Sequence, residues 1–132
     1  MAHQFSLRVY YEDTDLAGIV YYANYLKFIE RGRSEAVRDV GIDQVALKAA
    51  GLVFAVRRVE ADYLLPAKFD DTLIVHTMLT KVGAASMEMV QEITRDGRMI
   101  FSANIRIACI NQDEKAARIP ADIRLKLAQI GR

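Results

Sequence analysis

At 132 residues, 52% of them hydrophobic and one of them cysteine, the chain is the size of one ordinary domain and buries enough apolar surface to need no disulfide or metal staple. A formal net charge of +1, with Lys and Arg interleaved among Asp and Glu, leaves no global field to draw it onto nucleic acid or a membrane surface. We read a single domain, 1–132, cytoplasmic and without stable membrane insertion. The first residues lack a basic-then-apolar leader, and no run approaches the ~18 apolar residues of a membrane span.

In chain order, Phe5 to Tyr11 alternates apolar and polar residues, the period of a half-buried strand, and ends at Glu12-Asp13-Thr14-Asp15. Gly18, Ile19 and Val20 follow. Asn24, a favoured N-cap type, precedes a helical pattern that runs to Gly41. At ~100° per residue, Tyr22, Tyr25, Phe28, Ile29, Gly32, Ala36, Val37 and Val40 share one arc, opposite Lys27, Arg31, Ser34 and Arg38. Arg33 points into the apolar arc. That direction predicts either a side chain reaching to the edge of the face or a buried or interface salt bridge, with Glu30 as one candidate partner.

Asp43 to Ala50 reads as a short second helix closed by Gly51, after which the periodicity becomes strand-like: Val53–Leu65, Thr72–Val82, Ser86–Thr94 and Met99–Ile110. The breaks at Asp70-Asp71, Gly83 and Asp96-Gly97 carry turn chemistry, and Asp-Gly is the strongest hairpin signal of the three. Short turns of this kind predict that successive strands are antiparallel. Pro120 opens a last helix, Ala121–Ile130, whose apolar residues are Ile123, Leu125, Leu127 and Ile130. These elements predict an α+β fold, a five-stranded antiparallel sheet with the long helix lying across it. The other sheet face and the edges stay uncovered, which predicts self-association.

The acidic turn stands before the mouth of the long helix, where unpaired N–H groups and the helix dipole stabilise negative charge. Asp13 and Asp15 are therefore candidates for chemistry, although such residues also form turns by bonding their own backbone. Cys109, in an apolar run, reads as core, as do Met87 and Met89. His3 and His76 show no metal-ligand spacing with carboxylates or the thiol, and His76 reads as a satisfied strand histidine.

The stretch Asp13-Thr14-Asp15-Leu16-Ala17-Gly18-Ile19-Val20-Tyr21-Tyr22-Ala23-Asn24-Tyr25, followed by Glu30-Arg31-Gly32-Arg33-Ser34-Glu35, resembles the signature of the hotdog-fold acyl-CoA thioesterases of the 4-hydroxybenzoyl-CoA thioesterase superfamily. Within them it most resembles the subgroup associated with the Tol-Pal cell-envelope system. Pro66-Ala67-Lys68-Phe69-Asp70-Asp71-Thr72-Leu73 is similar to that family's segment between the second and third strands. The resemblance implies a hotdog fold, with the sheet wrapped on the long central helix. It assigns Asp15 as nucleophile or general base toward a thioester, with the Tyr22 main-chain N–H polarising the carbonyl. Gly18 fits a close approach of backbone to substrate. Scattered cations would meet the coenzyme A phosphates, with Arg57, Arg58 and Lys81 as candidates.

No metal or redox cofactor is implied, coenzyme A being part of the substrate. A homodimer or homotetramer is implied, with sites between chains, and acyl carrier protein or envelope and lipid-synthesis proteins are further candidate partners. The chain departs from the subgroup at Tyr22, where its members typically carry His; a phenol donates a hydrogen bond but is a poor base at neutral pH. Two other classes stay open: a hotdog hydratase or dehydratase, which would normally place a His or an acid elsewhere on the helix, and a non-catalytic module that binds acyl carriers.

Overall fold

The alternating start of the chain forms strand β1 (His3–Arg8), with Phe5 and Leu7 packed against the core. In the computed structural model, which describes residues 2–131, β1 stops earlier than the alternation predicts because Tyr11–Asp13 curl into a 3₁₀ turn. After the acidic loop come α1 (Asn24–Asp39) and α2 (Gln44–Ala49). Four strands follow, β2 (Val53–Tyr63), β3 (Thr72–Val82), β4 (Ser86–Arg95) and β5 (Arg98–Ile110), then α3 (Ala121–Leu127). The five-stranded sheet is antiparallel throughout, in the order β1-β3-β4-β5-β2.

That order corrects one expectation. β2 does not pair with β3 through Asp70-Asp71; it pairs with β5 at the far edge, where Val59, Ala61 and Tyr63 oppose Ile105, Ala103 and Phe101. Segment 64–71 instead crosses the end of the sheet. Its Leu64 and Leu65 N–H groups both donate to the Ile100 carbonyl, at 2.9 and 3.1 Å, and Val9 and Asp71 extend the β1–β3 ladder through Val9 N–H to Asp71 O at 2.9 Å. The Asp96-Gly97 hairpin is as read: Arg95 opposes Arg98, and φ is +53° at Asp96 and +78° at Gly97, the signs a type I′ turn requires.

The inner sheet face shows the period of two expected of strands. Leu73, Val75, Thr77 and Leu79 of β3, Met87, Met89, Gln91 and Ile93 of β4, and Phe101, Ala103, Ile105, Ile107 and Cys109 of β5 are all buried. Burial also pushes the Cys109 thiol pKa up, in keeping with a core residue. Across this face lies α1, packed on β1, β3 and β4 through Tyr25, Phe28, Ile29, Gly32, Ala36 and Val37. Burying a side chain such as Phe28 contributes roughly 2–3 kcal/mol. Gly32 lets the helix approach: a Cβ there would stand 2.5 Å from Val75 Cγ1.

Four further residues differ from expectation. Tyr22 lies outside the helix and is 62% exposed. Asn24 is the first helical residue rather than the cap, because Ala23 occupies the N-cap position without a side-chain bond. Arg33 is part-buried and makes no ion pair with Glu30 within the chain among the described residues; its Nη1 donates to Gln91 Oε1 at 2.9 Å. Leu125 is 72% exposed; α3 closes at Leu127, short of Ile130, with Ile123 and Leu127 as its buried residues. His76 is satisfied by Thr94 Oγ1 at 2.9 Å. Among the described residues no helix is long and apolar enough to cross a membrane.

α2 is held by its cap: Asp43 Oδ1 accepts from Val45 N–H at 3.0 Å and Ala46 N–H at 3.1 Å. Asp43→Ala is expected to destabilise the protein by about 1 kcal/mol, the usual loss for a capping carboxylate. Hydrogen exchange should show the loss concentrated in the amides of 45–49, and unchanged protection there would contradict it.

Candidate active site

Asp13 organises the loop between β1 and α1. It is 8% exposed, and its Oδ2 accepts from Tyr10 N–H at 2.8 Å. Its carbonyl accepts from Tyr21 N–H at 2.9 Å and from Asn24 Nδ2 at 2.9 Å. Asp13 is thus the structural acid, and Asn24 acts as a donor that ties the helix mouth to the acidic turn. One residue on, Thr14 bridges Val20. Asp15 N–H donates to Ile19 O at 2.9 Å and Gly18 N–H to Asp15 O at 3.0 Å, so 15–19 is a tight loop, and the positive φ of +82° at Gly18 closes it.

This hairpin returns the chain to the helix with Asp15, Gly18 and Tyr22 on one hydrogen-bonded unit. Asp15 is exposed. Its Oδ1 accepts from Ala17 N–H at 2.9 Å, a local bond that fixes the carboxylate, and its Oδ2 receives no donor among the described residues. The Tyr22 N–H, one residue before the Ala23 N-cap of α1, likewise meets no acceptor among them. The arrangement offers a fixed carboxylate oxygen and a free main-chain donor at the positive end of a helix dipole, the pair needed to act on a carbonyl carbon while holding its oxygen.

The supports come from distant parts of the chain. The Tyr63 hydroxyl donates to Tyr22 O at 2.9 Å, pinning the residue that carries the free N–H. Tyr63 also packs edge-on to Tyr22, Tyr25 and Phe101 at centroid distances of 6.2, 5.2 and 5.1 Å, a favoured aromatic geometry. Burial pushes its hydroxyl pKa up, so the group is held as the protonated donor. Tyr25, whose hydroxyl is also pushed up by burial, accepts from Ala67 N–H at 3.0 Å, while Val20 N–H donates to Ala67 O at 2.8 Å. Segment 66–71 is clamped in turn by Asp71, whose Oδ2 accepts from Lys68 N–H and Arg95 Nη1, both at 2.8 Å. Tyr63 and Arg95 escape sequence reasoning because an aromatic or a cation in a strand carries no local mark of the loop it will touch, and Tyr25 is legible there only as an apolar-face residue of α1.

The basic candidates fall elsewhere. Arg58 opposes Arg106 on β5, Arg106 opposes Glu88 on β4, and Glu88 opposes Lys81 on β3, so Arg58 and Lys81 share one row across the outer sheet face. Arg58 is held by Glu60 at 3.4 Å and Arg106 by Glu88 at 2.8 Å. Arg57 sits at the bulge between Val56 and Arg58. The row and the Asp15–Tyr22 unit are separate regions of the chain.

The thioesterase-like superfamily model matches residues 9–127. The acyl-CoA thioesterase YbgC of Haemophilus influenzae is 37% identical over 122 residues, 91% of this chain and 90% of that protein. The crystal structure of a probable thioesterase from Bartonella henselae superposes with a TM-score of 0.86 at 40% identity, covering 91% of this chain and all of that one. A 1,4-dihydroxy-2-naphthoyl-CoA thioesterase from Synechocystis shares the fold, with a TM-score of 0.90 at 19% identity and 98% coverage of both chains. The α+β hotdog architecture is therefore as the motif implies, and the chain belongs to the thioesterase-like superfamily.

Proposed function

We propose that this thioester hydrolase acts on acyl-coenzyme A through Asp15 and the Tyr22 main-chain N–H. The observation that carries the reading is that the Asp15 Oδ2 and the Tyr22 N–H both lack partners among the described residues, on one hydrogen-bonded unit at the mouth of α1. The carboxylate attacks the carbonyl carbon, or takes a proton from the water that does. The C=O electron pair moves onto the oxygen, where the N–H and the helix dipole stabilise it. Collapse breaks the C–S bond and releases the thiolate, which takes up a proton. In the covalent route water then cleaves the mixed anhydride and returns the Asp15 carboxylate. These steps draw on the chain's own groups, with coenzyme A arriving as part of the substrate. The name of the Haemophilus influenzae relative supports the substrate class.

Purified protein with short, long and aromatic acyl-coenzyme A esters and a thiol reagent tests this reading. Release of coenzyme A thiol from at least one of them is expected, and no turnover of any ester would overturn it. Tyr63→Phe keeps the ring but removes the bond to Tyr22 O. One hydrogen bond of about 0.5–1.5 kcal/mol predicts kcat lower by roughly 2- to 12-fold, with KM and melting temperature near the parent's. An unchanged kcat would show that the Tyr22 peptide needs no such support.

The same reading has two copies meet at the β2 edge. β2 terminates the sheet, and beside it Val56, Val59 and Leu26 are 48%, 38% and 40% exposed, an unpaired backbone edge with apolar flanks. Of the basic candidates, Arg57 and Lys81 have no carboxylate partner among the described residues, whereas Arg58 is engaged by Glu60. Arg57 and Lys81 are the two we assign to the coenzyme A phosphates.

A further inference from the structure

Arg33 lies part-buried on α1 with one hydrogen bond, to Gln91. Gln91 is fully buried and fixed in turn, its Nε2 donating to Ile29 O at 2.8 Å and Thr77 Oγ1 at 2.9 Å. A guanidinium carries five N–H donors, and among the described residues no carboxylate comes within the 4.0 Å of an ion pair. Burial pulls the Arg33 pKa down, and the charge of Glu30 offsets part of that. A part-buried cation held only by a neutral amide is under-compensated until a counter-charge reaches it. Glu30, one helical turn earlier, is exposed, and its carboxylate accepts from Ser34 Oγ at a long 3.4 Å.

Glu30 and Arg33 line a cleft of about 350 Å³ with Leu26, Ile29, Val56 and Val59. A second cleft of about 170 Å³ carries the groove on to Val37. One wall is the α1 seam Leu26-Glu30-Arg33-Val37, residues three and four apart that share a face; the other is the edge strand β2. An occupant must therefore follow the helix, be apolar at both ends and bring an acid and a base at its centre. The seam itself meets that description. Glu30 and Arg33 sit symmetrically about the middle of Asn24–Asp39, so two copies crossing antiparallel about a two-fold axis bring each acid to the other copy's base.

The geometry points to a reciprocal ion pair, Glu30 of each protomer with Arg33 of the partner subunit, closing an α1–α1 seam beside the two β2 edges. It rests on the self-association given above. Sedimentation over a concentration series, with circular dichroism as the check of folding, tests it on the parent, Glu30→Arg and Arg33→Glu. Each charge reversal alone places like charges across the axis, and self-association is expected to weaken at least ~30-fold, the scale of an uncompensated interfacial charge. Mixed one to one, the two variants are expected to form a heterodimer, because both cross-chain pairs are again of opposite sign. A Glu30→Arg protein that dimerises as tightly as the parent, or two folded variants that do not associate, would overturn the pairing. If Arg33→Glu fails to fold beside Gln91, Glu30→Arg decides alone, being exposed and leaving the Arg33–Gln91 bond in place. A parent that stays monomeric at every concentration overturns the dimer reading and the pairing with it, whereas a dimeric parent indifferent to Glu30→Arg overturns the pairing only.

Discussion

Asp15→Asn is expected to lower kcat toward its best acyl-coenzyme A ester by a factor on the order of 10²–10⁴, the contribution of a positioned base or nucleophile, or ~3–5 kcal/mol of barrier. The substitution is conservative in structure. The asparagine carbonyl oxygen still accepts from Ala17 N–H, the bond Asp15 Oδ1 makes at 2.9 Å, and the loop bonds from Asp15 N–H to Ile19 O and from Gly18 N–H to Asp15 O are main-chain. Melting temperature and KM should therefore move little. What is removed is the charge on an oxygen that no donor among the described residues occupies. Glu12→Gln is the companion control: Glu12 is exposed on the 3₁₀ turn and its loss should leave kcat within about twofold. Hydrolysis by Asp15→Asn at the parent rate would remove Asp15 from the mechanism.

Gly32→Ala is expected to destabilise the protein even though alanine is the better helix former by about 1 kcal/mol. The new Cβ would lie 2.5 Å from Val75 Cγ1 and 2.9 Å from Val75 Cβ. Neither partner can yield, since Val75 is fully buried, is stiff at χ1 and stands on β3 between β1 and β4. Overpacking of this kind costs about 1–3 kcal/mol, enough to outweigh the propensity gain over most of that range, and a melting temperature lower by several degrees should result. Val75→Ala added to Gly32→Ala removes the 2.5 Å contact with Cγ1 but keeps the one with Cβ at 2.9 Å, so the double variant should lose less stability than the sum of the two single variants, a coupling measurable by denaturant titration. Because α1 carries Tyr22 at its mouth, the single variant should also lose activity, and the double variant should recover part of it. A Gly32→Ala protein as stable as the parent would mean that the helix slides on the sheet at no cost.

The candidate site was legible in the sequence where its parts are local. Asp15, Gly18 and Tyr22 fall within one loop and one helix start, and turn chemistry, an acid and a helix mouth can each be read from neighbours along the chain. Asp13 and Asp15 illustrate the limit: the same residue type two positions apart becomes a buried anchor for Tyr10 N–H and an exposed carboxylate, and only the curl of Tyr11–Asp13 separates them. Arg33 shows it again, because its position on the helical wheel is correct while its partner Gln91 lies 58 positions away.

By itself the sequence determined the elements, their hydrophobic faces and the acidic loop, since the periods of 2 and 3.6 and the Gly, Pro and Asp breaks act over a few residues. The tertiary structure decided what no local rule contains. It moved β2 to the edge beside β5 rather than β3, because inward-facing Tyr63, Ala61 and Val59 find their cross-strand partners on Phe101, Ala103 and Ile105. That placement brings Tyr63 onto the Tyr22 carbonyl from 41 positions away and leaves the β2 edge open beside Glu30 and Arg33. Contacts of that kind are set by where packing closes the sheet around the helix, and packing depends on all the elements at once.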